Sequence, residues 1–531
     1  MCFPAQAGGE TVGRLIRYGM FPTTSGASSF TVALADEAAT LRLMREVAAN
    51  LQPGDMLTLS GDLGAGKTTF ARAMIRHLAN DSTIEVPSPT FTLLQTYELP
   101  PFPVAHADLY RLTSPAELAE LGFDDFPENM VVVLEWPDRA AGFLPEDRLD
   151  LAFTLSPQHG PTFRNARLSG YGTMAARVER MGEIRQFLEA SGFGDAERAR
   201  MAGDASTRMY EKLTLENGGT ALLMNSPRRP DGPPVRNGKP YSAIAHLAED
   251  VTPFVAMAHG LRQRGFSAPQ IISADRDKGL LIVEDLGAEA IVHGTPPVPL
   301  ETRYEAAVDV LVALHQHDLP ETVPVERGVD YTLPRYDLDA FLIEAELLLD
   351  WYLPKLNATV TRERRESYLS LWRDALRPAI DDLPTWVMRD YHSPNLLWLV
   401  ERAGVARVGL LDFQDAVMGP AAYDLASLLQ DARVDVPEMI EISLLSRYTR
   451  GRLKADPAFD APSFARIYAT LAAQRASKIL GIFARLEQRD GKPQYLRHIP
   501  RVWTYLQRSL AHPALAPLNA WFRVNVPALK R

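Results

Sequence analysis

The chain has 531 residues, 46% of them hydrophobic and 23% charged, with a formal net charge of −10. That length exceeds what one hydrophobic core usually serves, so two to four domains are expected, and no run of about eighteen apolar residues is present to cross a membrane. A single cysteine, Cys2, excludes an internal disulfide and suits a reducing cytoplasm, while the start, MCFPAQAGGETVGR, lacks the basic segment and apolar core of a secretory signal.

Residues 1–29 are rich in Gly, Ser, Thr and Pro without periodicity, which predicts a flexible N-terminal tail. DEAATLRLMREVAANLQPGD, 36–55, predicts a helix: Leu41, Met44, Ala48 and Leu51 share one face, Asp36 can cap the start, and Pro53-Gly54 ends it. Short apolar strands are predicted at 56–60, 91–97, 130–136 and 149–155, between helical or turn-rich stretches. That mixture predicts an α/β sheet domain.

GDLGAGKT, 61–68, satisfies G-x-x-x-x-G-K-[ST] between a predicted strand and a predicted helix. Gly61, Gly64 and Gly66 let backbone N–H groups wrap phosphates at a helix N-terminus, Lys67 reaches their outer oxygens, and Thr68, followed by Thr69, offers a hydroxyl to Mg²⁺. Such a loop also needs a carboxylate at the end of a neighbouring strand. Glu135 and Asp108 are the candidates; either could instead be an ordinary strand-end charge. Residues 1–178 carry a net charge of −7 and the remainder −3. An acidic N-terminal part is a poor autonomous nucleic-acid binder, so strong direct binding is not expected.

GDLGAGKTTF, then SPTFTL (88–93), HADLYRL (106–112), ELGFDDF (ending at Phe126) and LEWPDR (134–139) resemble, in order, the TsaE family, the small ATPases of bacterial tRNA threonylcarbamoyladenosine synthesis. The resemblance covers roughly 30–178 and implies a P-loop NTPase fold. It also implies ATP and Mg²⁺ as cofactors, Thr68 and Glu135 as metal ligands, Asp108 as a catalytic residue and Trp136 as part of the nucleotide site. It further implies docking on a TsaD–TsaB-type enzyme.

Periodicity weakens over 155–178 and a helical pattern restarts at ERMGEIRQFLEASG, which places a domain boundary near 179 and a second domain over 179–531. There a strand-rich segment precedes a long helical one, the outline of a two-lobed kinase. SPRRPDGPPVRNGKP, 226–240, predicts an exposed loop, and 241–264 predicts a helix carrying Glu249. VMRDYHSPN, 387–395, has the Asp-x-x-x-x-Asn spacing of a kinase catalytic loop, and VGLLDF ends an apolar strand in Asp412. Asp390 would then orient the acceptor hydroxyl, while Asn395 and Asp412 hold Mg²⁺. LLIVEDLG, 280–287, suits the hinge whose backbone, at Glu284 and Leu286, meets adenine. His315 and His317 read as packing or capping residues, and the Leu/Ala stripe around 463–486 as core.

MAGDAST, VMRDYHSPN, LLDFQDAVMGPAAYDLASLL and KILGIFARLEQRDGKPQYLRHIP resemble the aminoglycoside-phosphotransferase-like kinases, an α+β family, and within it the AmgK group. That group phosphorylates N-acetylmuramate and N-acetylglucosamine at the anomeric hydroxyl during peptidoglycan recycling, so the resemblance implies an amino-sugar substrate and a bifunctional chain. Met388 stands where many relatives have His, and TALLMNSP, 220–227, lacks the expected ATP-pairing Lys. Lys212, Arg228 and Arg229 are the basic residues that could replace it. A pseudokinase, or a phosphotransferase for a cationic acceptor such as an aminoglycoside or choline-like alcohol, remains the alternative; a cationic acceptor favours an acidic pocket and an anionic sugar a basic one.

Overall fold

The computed structural model describes residues 27–112, 117, 126–140, 142–160, 162–201 and 208–527. Most of the predicted tail, most of ELGFDDF and the AGDAST turn lie outside them. Contacts divide the chain into two compact units, residues 1–202 with 211–220, and 203–210 with 221–531.

The first unit contains β1 (Ser28–Leu34), α1 (Glu37–Asn50), β2 (Met56–Gly61), α2 (Lys67–Ala79), β3 (Leu94–Tyr97), β4 (Val104–Asp108), β5 (Val131–Glu135), β6 (Arg148–Leu155), β7 (Arg164–Tyr171) and α3 (Met174–Ala190). One seven-stranded sheet has the order β1-β7-β6-β2-β5-β4-β3. Its four central strands, β6, β2, β5 and β4, are mutually parallel, so their carboxyl ends share one edge, where α/β sheets place ligands. Those ends carry Gly61, Glu135 and Asp108. Asp36 caps α1 by accepting the Ala39 N–H at 2.7 Å, and Leu43, Met44, Val47 and Ala48 bury its inner face.

Three predicted boundaries move. Pro89 starts a turn closed by the Leu93 N–H on the Pro89 carbonyl, and Leu93 has φ +63°, so the strand predicted over 91–97 begins only at Leu94. β1 begins at Ser28, inside the predicted tail. β7 occupies the stretch whose periodicity is weak, because its polar residues Arg164, Asn165, Arg167 and Ser169 hide the alternation; it lies between β1 and β6. Residue 179 falls inside α3, which packs on β1 and β7.

β8 (Glu197–Arg200), still in the first unit, pairs antiparallel with β9 (Met209–Thr214) through residues 211–214. β10 (Thr220–Asn225), α4 (Thr252–Gln263), β11 (Ile271–Asp275) and β12 (Leu280–Glu284) follow, with β12 antiparallel to both β10 and β11. The segment 226–240 is largely exposed, as expected of its Pro and Gly content. The helix predicted over 241–264 breaks: only 241–244 and α4 are helical, Pro253 opens α4, and Glu249 lies in the bend before it.

The helical remainder includes α5 (Glu301–Leu314), α6 (Leu338–Leu347), α7 (Arg362–Ile380), α8 (Ala422–Leu429), α9 (Glu438–Ala455), α10 (Ala461–Asp490), α11 (Ile499–Leu510) and α12 (Ala516–Asn525). They enclose a core in which Tyr368, Trp372 and Tyr448 are fully buried. His315 caps the end of α5 with its Nδ1 2.8 Å from the Tyr448 hydroxyl, and His317 meets the Phe266 ring edge-on. Burial, helped by Arg452, pushes the His315 pKa down to about 3. The unfolded chain therefore takes up this proton first, so the neutral imidazole stabilises the fold fully above pH ~6.5 and less as pH falls toward 3. At pH 5 the loss is about 2 kcal/mol. His315→Gln, which still offers Tyr448 a hydrogen bond, is expected to shrink the drop in melting temperature between pH 7 and pH 5; an unchanged drop would refute this assignment.

Candidate active sites

At the first site the loop after β2 turns back on itself through Gly61, Gly64 and Gly66, all at positive φ. Gly66 has φ +107°, and a Cβ there would lie 2.6 Å from an Arg164 guanidinium nitrogen; one on Gly61 would lie 2.4 Å from the Phe153 carbonyl. Both positions need glycine for conformation, and Gly61 also for space, since the atom it would meet is backbone. Gly66→Ala is expected to weaken nucleotide binding to this loop at least about tenfold, read by titration with a fluorescent ADP; wild-type affinity would show that the loop geometry is not needed.

Lys67 heads α2. Its Nζ donates to the Gly61 carbonyl at 2.7 Å and the Asp62 carbonyl at 3.0 Å, and lies 3.7 Å from the centroid of the Trp136 ring. Burial lowers its pKa against the pull of Glu135, Asp108 and Asp62. The Thr68 hydroxyl donates to Glu135 Oε2 at 2.8 Å, while Glu135 Oε1 is 2.9 Å from His106 Nε2. Register sets Asp108 beside Glu135 on the next strand. Thr90 and the Tyr110 N–H donate to the Asp108 carboxylate at 2.7 and 2.9 Å, which fixes its orientation. Thr69 is exposed one residue beyond Thr68. Lys67, Thr68, Glu135 and Trp136 thus converge, with Asp108 alongside. His106 and Thr90 were missed because neither has a distinctive spacing of its own.

At the second site β13 (Pro384–Val387) pairs with β16 (Val417–Pro420), and β14 (Leu396–Trp398) with β15 (Val408–Leu410). Loop 388–395 joins β13 to β14 and loop 411–416 joins β15 to β16, so the pairing sets the two loops side by side. The Leu411 N–H donates to the Asn395 carbonyl at 2.9 Å, one residue from Asp412. The Asn395 side-chain N–H donates to the Asp390 carbonyl at 2.9 Å, which leaves its amide oxygen as the atom suited to a cation.

Two residues here adopt left-handed backbone, Arg389 (φ +66°) and Asp412 (φ +57°), a conformation costly for non-glycine residues and held only by strong surroundings. Arg389 is so held. Asp424, buried on α8, accepts the Met388 and Arg389 N–H groups at 2.7 and 2.9 Å. The Arg389 guanidinium pairs with buried Glu344 and donates to the Ala245 carbonyl at 2.8 Å, and Lys478 completes the Glu344 shell at 2.8 Å. Burial raises the Asp424 pKa to about 7. Burial also pushes the Asp390 carboxyl up, but His392, Lys478, Arg475 and Arg389 nearby outweigh it and hold the group below its ordinary range.

No Lys or Arg stands on β10. Arg208, just before β9, places Nη1 2.5 Å from Asp412 Oδ1. Arg229 lies close enough for Arg208, after burial, to lower its pKa. Arg228 is exposed and pairs with Glu249 at 3.7 Å, and Lys212 is an exposed residue of β9. The Glu284 N–H is committed to the Gln270 carbonyl at 2.9 Å, and its carboxylate pairs with Arg262 and Arg402 at 3.1 and 2.5 Å. Leu286 approaches Gly409 of β15. Among the described residues there is no group of three or more His, Cys, Asp or Glu arranged for a metal ion. Each site nevertheless offers hard oxygens, Thr68 and Glu135 in one, Asn395 and Asp412 in the other, the donor chemistry Mg²⁺ takes beside phosphate oxygens.

A phosphate loop at the carboxyl ends of four parallel strands makes the first part a P-loop NTPase, and the paired loops bearing Asp390, Asn395 and Asp412 make the second a kinase-fold phosphotransferase. The family described as "Threonylcarbamoyl adenosine biosynthesis protein TsaE" matches residues 34–162, and "Phosphotransferase enzyme family" matches 197–462. An N-acetylmuramate/N-acetylglucosamine kinase of Caulobacter vibrioides is 40% identical over 370 residues, 67% of this chain and 100% of that protein. The tRNA threonylcarbamoyladenosine biosynthesis protein TsaE of Rickettsia bellii is 38% identical over 122 residues, 23% of this chain and 84% of that protein; that of Rickettsia felis is 45% identical over 105 residues, 20% of this chain and 61% of that protein. The chain belongs to the TsaE family through its first part and to the phosphotransferase enzyme family through its second, and is a fusion of the two.

Proposed function

We propose that the chain is bifunctional. Its first part uses ATP to support N6-threonylcarbamoyladenosine modification of tRNA, docked on a TsaD–TsaB-type enzyme rather than gripping tRNA itself. Its second part transfers the γ-phosphoryl group of ATP to the anomeric hydroxyl of N-acetylmuramate or N-acetylglucosamine. Both reactions belong to the cytoplasm, and among the described residues no helix is long and apolar enough to cross a membrane.

In the kinase half Asp390, held ionised, orients the attacking hydroxyl and accepts its proton. Asn395 and Asp412 would hold Mg²⁺, which when bound neutralises charge on the nucleotide phosphates. Arg208 supplies the cation that β10 lacks, and the hinge after β12, at Glu284 and Leu286, frames the adenine. In the ATPase half Gly61 to Thr69 cradle the phosphates, Thr68 and Glu135 would hold Mg²⁺, Trp136 walls the nucleotide site, and Asp108 takes part in turnover.

The observation that carries the kinase reading is Asp390 set between two paired loops, with the buried guanidinium of Arg475 beside it. That favours an anionic or neutral sugar over a cationic aminoglycoside or choline-like alcohol, and the intact trio disfavours a pseudokinase. A screen of purified protein with ATP against amino sugars, aminoglycosides and choline is expected to give phosphorylated product with the amino sugars alone; product from a cationic acceptor, or from none, would reject this reading.

A further inference from the structure

The stripe of α10 that reads as core contains one residue that the core does not use. Arg475 is 6% exposed, yet its Nη1 has no hydrogen-bond partner among the described residues. Its Nη2 stops 4.0 Å from Asp390 Oδ1, beyond hydrogen-bond range. A buried guanidinium without a bonded anion is costly. A residue serving only to fix Asp390 would be expected to bond it, as Arg389 and Lys478 bond Glu344.

A second unfilled donor flanks the same carboxylate. His392 Nε2 is 3.2 Å from Arg433 Nη1; the guanidinium can only donate, so Nε2 is the acceptor. With Nε2 accepting, the ring carries its proton on Nδ1, which is buried and unpartnered. Two buried donors, one of them cationic, therefore wait beside the group that orients the acceptor.

Resting on the kinase reading above, we propose that Arg475 binds the carboxylate of an anionic sugar acceptor, the lactyl arm of N-acetylmuramate, with His392 Nδ1–H donating to a neighbouring oxygen of the same sugar. The anomeric hydroxyl and the arm on O3 stand either side of C2 on one ring, so a sugar whose hydroxyl meets Asp390 carries its carboxylate only a short distance away. Arg475 is then a specificity residue: it distinguishes two sugars that differ only in that arm.

The test is the ratio of kcat/KM for N-acetylmuramate to that for N-acetylglucosamine in wild type, Arg475→Gln and Arg475→Lys. Loss of a charge-assisted hydrogen bond predicts a fall in the ratio of at least about tenfold for Arg475→Gln, carried mainly by KM, with partial recovery in Arg475→Lys. An unchanged ratio, with both sugars losing activity equally, would assign Arg475 to Asp390 instead and overturn the proposal. If the variants fail to fold, wild-type protein decides: the neutral carboxamide of the lactyl arm should show a KM at least about tenfold above that of the acid, and equal KM values would overturn the proposal. Wild-type protein inactive on every sugar would reject the kinase reading itself, and this assignment with it.

Discussion

Asp390→Asn should phosphorylate either amino sugar at roughly one-hundredth of the wild-type rate or less, with ATP affinity retained. The substitution keeps size and the backbone bonds of the loop, including the Asn395 side chain on the residue 390 carbonyl, but removes the charge proposed to orient and deprotonate the hydroxyl. A hundredfold loss corresponds to about 2.7 kcal/mol of transition-state stabilisation. Steady-state kinetics with a coupled ADP assay, and calorimetric ATP titration of the same sample, separate chemistry from binding. Full turnover by this variant would remove Asp390 from the reaction. Asp412→Asn should behave differently, raising the KM for ATP and the Mg²⁺ requirement, because the lost oxygen belongs to the proposed cation site.

Lys67→Ala should abolish the tRNA-modification role, lowering ATP turnover of the first site by at least about a hundredfold, and leave sugar phosphorylation within about twofold of wild type. Lys67 is the buried cation of the phosphate loop, resting on the Gly61 and Asp62 carbonyls, and nothing else in that loop can supply its charge. Complementation of a TsaE-depleted bacterium reads the first activity and the kinase assay reads the second. Parallel loss of both would mean one shared nucleotide site.

What the sequence makes legible follows from how local each signal is. The phosphate loop is contiguous, so Gly61 to Thr69 are recognisable from spacing alone, and Glu135 and Asp108 from their places at the ends of apolar runs. Asp390, Asn395 and Asp412 are recognisable because the two loops keep a short fixed separation along the chain. Arg208 is not, because the expected cation belongs to a strand: inspection of β10 finds Leu222, Leu223 and Met224, while the residue that reaches Asp412 precedes β9. Arg475 and Lys478 sit in a Leu/Ala stripe that is indeed core, and only the fold shows that α10 brings them to loop 388–395. Glu344 and Asp424 leave a fainter signal, a carboxylate within an apolar helix, which implies a buried partner without naming it. β7 is lost for the opposite reason, since its polar residues blur the alternation that marks a strand.

The central claim is that one chain carries two independent ATP-dependent activities, the second an anomeric sugar kinase. The most direct measurement is the NMR spectrum of the product formed by the Lys67→Ala protein from ATP and N-acetylglucosamine. A sugar 1-phosphate whose phosphorus couples to the anomeric proton is the predicted result, showing that the kinase half works without the phosphate loop and at the stated hydroxyl. A phosphorus coupled to the C6 protons, or product that forms only when Lys67 is intact, would contradict it.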